Sequence, residues 1–223
     1  MKGIVSEIFL SVQGEGLYVG ERQVFVRLAG CNLDCRFCDT KISSQREYEP
    51  QVLVEELKRY RANYRSVTFT GGEPLLQKEF LKEAMALTGQ AGFKNYLETN
   101  GTLPGALREV IELVDIVAMD FKLPSSSGMR GYWDEHRQFL AISSSKDVFV
   151  KIVVCDSTLQ EDVMETIHII KDINPCCCLV LQPDSTSDYA VLERRIERFK
   201  RICEEENLAA CIIPQMHKLV GVR

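Results

Sequence analysis

The sequence predicts an α/β fold in which a parallel sheet is covered by helices. Three observations carry this expectation. Apolar runs with strand character alternate with segments of helical periodicity through most of the chain, the pattern of repeated βα units. Two of these runs end in polar clusters, Glu98-Thr99-Asn100-Gly101 and Asp120-Phe121-Lys122, where parallel α/β folds gather ligands. A length of 223 residues, with 45% hydrophobic and 26% charged, suits one well-buried globular domain and is short for two.

Residues 6–20 begin as a short apolar stretch and run into Gln13, Gly14, Glu15, Gly16 and Gly20. That glycine density implies a tight loop in which backbone closely approaches something, although a plain hairpin turn fits as well. Residues 23–28, rich in Val and Phe, predict a strand with Arg27 near its end. A guanidinium there suits a surface carboxylate or, in a binding site, a bidentate carboxylate anchor. Pro50 stands at a permitted first-turn position of a helix over 50–60, with Val52, Leu53, Leu57 and Tyr60 at helical spacing. A strand over 66–70 leads straight into Gly71-Gly72-Glu73-Pro74.

The unit then repeats as helix 78–87, strand 94–99, helix 105–113 and strand 116–120. Pro124-Ser125-Ser126-Ser127-Gly128 is the most loop-like stretch, read as a connection. A helix over 133–142, an apolar strand over 147–154 and an amphipathic helix over 160–173 follow, His136 being read as a surface residue and His168 as structural. A strand over 178–182 ends in Gln182-Pro183-Asp184. A charged-faced helix over 189–206 and a last strand over 209–213 precede a tail, 214–223, of the kind that frays.

A net charge of −5 does not favour nucleic-acid binding, so the expected partner is a small molecule. Residues 1–16 lack the pattern of a signal peptide and no apolar run approaches a membrane span; a cytoplasmic protein with no membrane partner is expected. Of nine cysteines, Cys176, Cys177 and Cys178 lack ligand spacing, and with Cys155, Cys203 and Cys211 they are read as buried.

Cys31, Cys35 and Cys38 stand in a C-x3-C-x2-C spacing inside GCNLDCRFCDT. An iron-sulfur cluster normally takes four cysteines, so three would leave one iron open to a ligand. A structural zinc site wants four ligands, usually in two separated pairs, and no second pair has suitable spacing. Disulfides would leave an odd cysteine. Spacing alone leaves a cluster, or zinc with simple burial, open. Gly71-Gly72-Glu73-Pro74 is similarly ambiguous: glycines at a strand's carboxyl end admit a ligand to the backbone and Glu73 can accept from an ammonium group, yet a strand-to-helix turn uses the same residues.

Together, C-x3-C-x2-C and GGEP resemble the motifs of the radical S-adenosylmethionine superfamily. More narrowly, residues 9–16 (FLSVQGEG), 25–28 (FVRL) and CNLDCRFCDT resemble the 7-carboxy-7-deazaguanine synthase family across the N-terminal third. This resemblance implies a partial, open (βα)6 TIM-like barrel, smaller than the eight-unit form. It implies one domain over 1–223, with a substrate loop in 1–22, the barrel in 23–213 and a tail in 214–223 near the pocket. The implied cofactors are a 4Fe-4S cluster on Cys31, Cys35 and Cys38, S-adenosylmethionine, and Mg2+ on the Thr40 hydroxyl, a hard oxygen ligand. Substrate would meet Val12, Gln13, Gly14, Glu15, Arg27, Thr70 and His217. The sulfonium cofactor would meet Phe37, Gly72, Glu73, Thr99, Lys122, Ser125 and Gln182.

The implied reaction converts 6-carboxy-5,6,7,8-tetrahydropterin to 7-carboxy-7-deazaguanine with loss of ammonia, for queuosine and other 7-deazapurines. It starts with hydrogen abstraction at C6 by a 5'-deoxyadenosyl radical that later recovers the hydrogen. The implied partners are a flavodoxin- or ferredoxin-type electron donor and a second copy in a homodimer. Two rivals stand beside this expectation. Activases that place a glycyl radical on a partner protein share both motifs but lack the Gln13–Gly16 loop and CDT. A zinc-binding interaction module has no need of GGEP.

Overall fold

In a computed structural model, residues 1–38 and 45–221 are described. Thr40, expected at magnesium, lies outside them.

The strands and helices, in chain order, are β1 Gly3–Val12, β2 Arg22–Leu28, β3 Arg46–Tyr48, α1 Pro50–Lys58, β4 Ser66–Gly71, α2 Lys78–Gln90, β5 Lys94–Thr99, α3 Pro104–Val110, β6 Ile116–Asp120, α4 Pro124–Ser127, α5 Trp133–Ser143, β7 Asp147–Val154, α6 Gln160–Ile173, β8 Leu179–Pro183, α7 Tyr189–Glu205, β9 Ala210–Ile212 and α8 Met216–Leu219. All nine strands form one sheet in the order β3-β1-β2-β4-β5-β6-β7-β8-β9. From β2 to β9 every pairing is parallel, and β1 is antiparallel to both its neighbours. Each parallel strand from β2 to β8 is followed by a helix before the next. This is the expected run of βα units in an open sheet, not a closed barrel.

Strand alternation separates two interiors. Val24, Val26, Leu28, Val67, Phe69, Leu97, Val117, Met119, Val150 and Ile152 point to the helices and, with Leu53, Leu81, Leu107, Phe139, Ile167 and Ile196, make the main core. Each fully buried side chain of this size contributes on the order of 2 kcal/mol. The alternate residues face the concave side, where Tyr96, Ile116, Ala118, Phe149 and Val180 form a smaller apolar floor, with Tyr18 against it. Among the described residues no helix is long and apolar enough to cross a membrane.

Four local expectations need correction. Residues 3–12, read mostly as the approach to a loop, form a ten-residue strand. Pairing with β2 from Val5 to Val12 decides what a weakly alternating IVSEIFLSV could not. The loop expected at 124–128 is a buried helical turn. Ser127 Oγ donates to the Leu123 carbonyl (2.7 Å) and Ser126 Oγ meets Thr158 Oγ1 (2.8 Å), and Gly128 ends the turn at φ 76°. His136 is wholly buried, its ring stacked on Phe121 at 4.2 Å and its Nε2 3.1 Å from the Asn100 carbonyl. Of the cysteine run only Cys177 is buried, and Cys176 is exposed.

Candidate active site

At the carboxyl ends of the parallel strands the concave face opens into a cavity of about 560 Å³. The same alternation that builds its floor sets one polar side chain near the top of each strand: Arg27 on β2, Thr70 on β4, Glu98 on β5, Asp120 on β6, Lys151 on β7 and Gln182 on β8. Register carries them side by side, with Arg27 opposite Thr70 and Asp120 opposite Lys151.

One end of the cavity is the cysteine loop. Cys31, Cys35 and Cys38 all line it, none is in a disulfide, and Cys31 and Cys38 are exposed. Neutral hydrogen bonds hold the loop on three sides. Glu73 N–H donates to the Gly30 carbonyl (2.8 Å) and Gly72 N–H to the Leu28 carbonyl (3.3 Å), while Arg36 N–H donates to the Ser127 carbonyl (3.0 Å). Asn32 joins Asn100 (2.9 Å) and Thr102 (2.8 Å). A Cβ on Gly71 would lie 2.0 Å from the Leu28 carbonyl oxygen and one on Gly72 2.1 Å from that of Gly30. The Gly-Gly pair is therefore what lets the loop seat on β4.

Burial raises the Cys31 thiol and pushes Cys35 up to about 11, so metal binding would release protons from them. As a donor set, three thiols from one loop suit a cluster that leaves one iron to another ligand, although among the described residues no three such groups are drawn together around a single point.

Beside this loop lie Phe37, Gly72, Thr99, Lys122 and Gln182, with the Lys122 ammonium 5.1 Å from the centre of the Phe37 ring. Gln182 Oε1 and Asp120 Oδ1 are buried without a hydrogen-bond partner, acceptors suited to a polar ligand. Two residues expected at the cofactor stand behind the wall. Glu73 is fully buried, its carboxylate taken by Leu75 N–H (3.0 Å), Asn100 N–H (2.8 Å) and the Thr99 hydroxyl (2.9 Å). Burial raises it to about 7 against these donors. Ser125 instead binds Asp162 through N–H (2.8 Å) and Oγ (2.5 Å), because the buried turn aims it away.

The other end gathers Val12, Gln13, Gly14, Glu15, Arg27, Thr70 and His217. Gln13 Nε2 donates to Glu98 (2.8 Å) and Gln23 (3.1 Å). Glu15 pairs with Lys151 and accepts from Gln215 Nε2 (2.6 Å). Arg27 Nε lies 3.4 Å from Glu7, with its guanidinium over Phe9. A Cβ on Gly14 would fall 2.2 Å from the His217 ring, so the tail packs directly on the loop. Burial alone would raise the Glu15 carboxyl; Lys151 and Gln215 hold it at about 2. Burial and the nearby Glu15 push Glu98 above the ordinary carboxylate range.

Residues 25–191 match the Radical SAM superfamily. A 7-carboxy-7-deazaguanine synthase from Geobacter sulfurreducens is 35% identical over 97% of this chain and 96% of its own. The chain belongs to the 7-carboxy-7-deazaguanine synthase family. The same enzyme of Archaeoglobus fulgidus is 35% identical over the whole of both chains. Among solved structures, QueE from Escherichia coli superposes with a TM-score of 0.67 over 95% of this chain and 93% of its own, at 22% identity, which bears on fold alone. As a radical S-adenosylmethionine synthase, the protein uses a 4Fe-4S cluster and S-adenosylmethionine, and the zinc-module reading falls away. Among the polar residues lining the cavity of this synthase, Glu98 and Asp120 belong to the strand-end clusters the sequence marks without a role, while Lys151 and Gln215 are not in the expected site at all. Lys151 left one signal, a lone charge inside DVFVKIVV.

Proposed function

We propose that this chain converts 6-carboxy-5,6,7,8-tetrahydropterin to 7-carboxy-7-deazaguanine with loss of ammonia, serving queuosine and related 7-deazapurine synthesis. The observation that carries the reading is the joining of two unlike ends in one cavity: three free thiols at one and the Gln13–Glu15 loop with Glu98 and Arg27 at the other. Bound at the thiol end, the cluster and S-adenosylmethionine supply a hydrogen-abstracting radical. Cys31, Cys35 and Cys38 would hold the cluster. Gly72, Phe37, Thr99, Lys122 and Gln182 would orient the sulfonium compound.

The chain's own contribution at the other end is orientation and exclusion of water. Glu98 and Glu15 offer acceptors to an aminopyrimidinone edge, and Gln13, whose Nε2 donates to Glu98 and Gln23, holds the Glu98 carboxylate in place for it. Arg27 offers a guanidinium to the substrate carboxylate. The His217 ring, packed on Gly14, closes the cavity on the tail side. Thr40 is proposed to carry Mg2+, whose charge would offset that of the carboxylate. A flavodoxin- or ferredoxin-type protein is proposed as electron donor, which the exposure of Cys31 and Cys38 supports. A homodimer in the cytoplasm is the setting the family suggests.

The test is anaerobic turnover of reconstituted protein with the carboxytetrahydropterin, with and without Mg2+, alongside Cys35→Ala. The wild type should form the deazapurine chromophore faster with Mg2+, and Cys35→Ala should lose both iron and product. Full iron content and product from Cys35→Ala would sink the reading.

A further inference from the structure

Lys151 stands on β7, at an inward position opposite Asp120 on β6, its side chain only 13% exposed. A buried ammonium is costly unless paired, and this one is paired twice: with Glu15 of the β1–β2 loop and with Asp120 Oδ2 at 3.1 Å. Asp120 has a second cation, Lys122 at 2.8 Å. Glu15 has Lys151 and, on its other oxygen, the Gln215 amide at 2.6 Å. The bonds therefore run in series from the sheet to the loop and from the loop to the tail. Met216 N–H donates to the Gly14 carbonyl at 2.9 Å and closes the connection through backbone. Glu15 Oε1 and Oε2 are thus divided between the tail and a strand of the sheet, and the strand's share is Lys151.

We propose that Lys151 is a positioning residue for substrate, a buried cation on the rigid sheet that fixes the Gln13–Gly16 loop and, through Glu15, the tail at Gln215–Leu219 against the cavity. The inference rests on the reading of that loop as the substrate end, but its first consequence is independent of any substrate. Without the ammonium, Glu15 is a half-buried carboxylate with its main compensating charge gone. The loop then has a reason to leave the cavity, and the tail leaves with it. The cysteine loop is fastened by other residues and should not respond.

The experiment compares wild type, Lys151→Met, Lys151→Arg and the double variant Lys151→Met/Glu15→Gln, all reconstituted and anaerobic. Amide hydrogen exchange without substrate should quicken in Lys151→Met at residues 13–20 and at Met216, with iron content and S-adenosylmethionine affinity kept. KM for the pterin should rise on the order of tenfold or more with a smaller change in kcat. Lys151→Arg should restore most of both. The double variant, which buries no unpaired Glu15 charge, keeps the protein foldable if Lys151→Met is not, and, lacking the ion pair but not the Gln215 contact, should show exchange at Met216 faster than wild type and slower than Lys151→Met. Unchanged exchange at both segments would overturn the proposal, as would faster exchange with an unchanged KM. Faster exchange in a chain whose wild type makes no deazapurine would leave Lys151 as the fastening and refute the proposed reaction instead.

Discussion

At the cysteine end of the cavity the chain is held by backbone carbonyls and uncharged amides, from Leu28, Gly30, Ser127, Asn100 and Thr102. At the opposite end it is held by an ion pair, Glu15 on Lys151, and the charged network runs back through Asp120 to Lys122, which stands beside Phe37 of the cysteine loop. Neutral anchors suit a segment that must receive a charged inorganic group, since they add no fixed charge of their own beside it. Charged anchors suit a polar substrate, whose hydrogen-bonding edge is told from others by the groups left unpaired when it is absent. The contrast also concerns shape. The first end depends on close backbone approach, where a methyl group is too much; the second depends on charge, where size can be kept and function still lost.

The largest effect expected from separating the two ends is at Gly72. An alanine Cβ would lie 2.1 Å from the Gly30 carbonyl oxygen and 2.8 Å from Cys31 Cβ, contacts that backbone cannot yield without moving the cysteine loop. Gly72→Ala should lose most of its reconstituted iron, with product formation down at least a hundredfold. The Glu15–Lys151 pairing should persist, read as unchanged amide exchange at Met216. Iron content equal to wild type would show that the loop does not depend on this approach.

The same contrast explains what the sequence made legible. The cysteine end is one contiguous stretch docked on GGEP, so its residues announce themselves in order, and the alternation of strand and helix patterns located nearly every βα unit. The substrate end is assembled from single residues on separate strands. Lys151 looks like an oddity in an apolar strand until the register sets it opposite Asp120, and Gln215 has no meaning until the tail reaches Glu15. Ser125 and Glu73 lie outside the cavity lining for the converse reason. Their local sequence suits a binding loop, but Asp162 and the Asn100 and Leu75 amides, distant or turned by the fold, occupy their polar atoms. β1 is hard to read from its own residues because its pairing partner, β2, carries the information its pattern lacks.

Acid should separate the ends by pH. His136 underlies the cysteine end, with Nε2 facing the Asn100 carbonyl and Nδ1 buried without a partner. Burial lowers it from 6.5 to about 4. The unfolded chain takes up this proton below about pH 6.5 and the folded chain does not until about 4, so the His136 contribution is full above 6.5 and falls through that window by about 3 kcal/mol, while buried Glu73, raised to about 7, is protonated first in the folded chain and acts in the opposite sense. Glu15, held at about 2, contributes its own loss as pH falls from the ordinary glutamate value near 4.5 towards about 2. His136→Gln, which keeps an amide donor for Asn100, should raise Tm at pH 4.5 relative to its value at pH 6.5 when compared with wild type, and leave the loss at lower pH in place. An unaltered Tm profile in that window would mean that His136 is not the group that makes the neutral end acid-sensitive.

The smallest of these effects probes the charged end without disturbing its packing. Glu98 faces the cavity between Tyr96 and Asn100 and takes hydrogen bonds from Gln13 (2.8 Å) and the Thr70 side chain, while Arg27, Lys122 and Lys151 pair with other carboxylates. Glu98→Gln preserves its volume and removes the charge-assisted acceptor, a change of about 1.4 kcal/mol, or tenfold, at a single hydrogen bond. KM for the pterin should rise by about that factor, with iron content and S-adenosylmethionine affinity as in wild type. A loss of iron here would show that the two ends are coupled through β5, since Glu98 is followed directly by Thr99 and Asn100, which bind Glu73 and Asn32. Unchanged KM would instead remove Glu98 from the substrate's hydrogen-bonding edge and leave that role to Glu15 and Gln13.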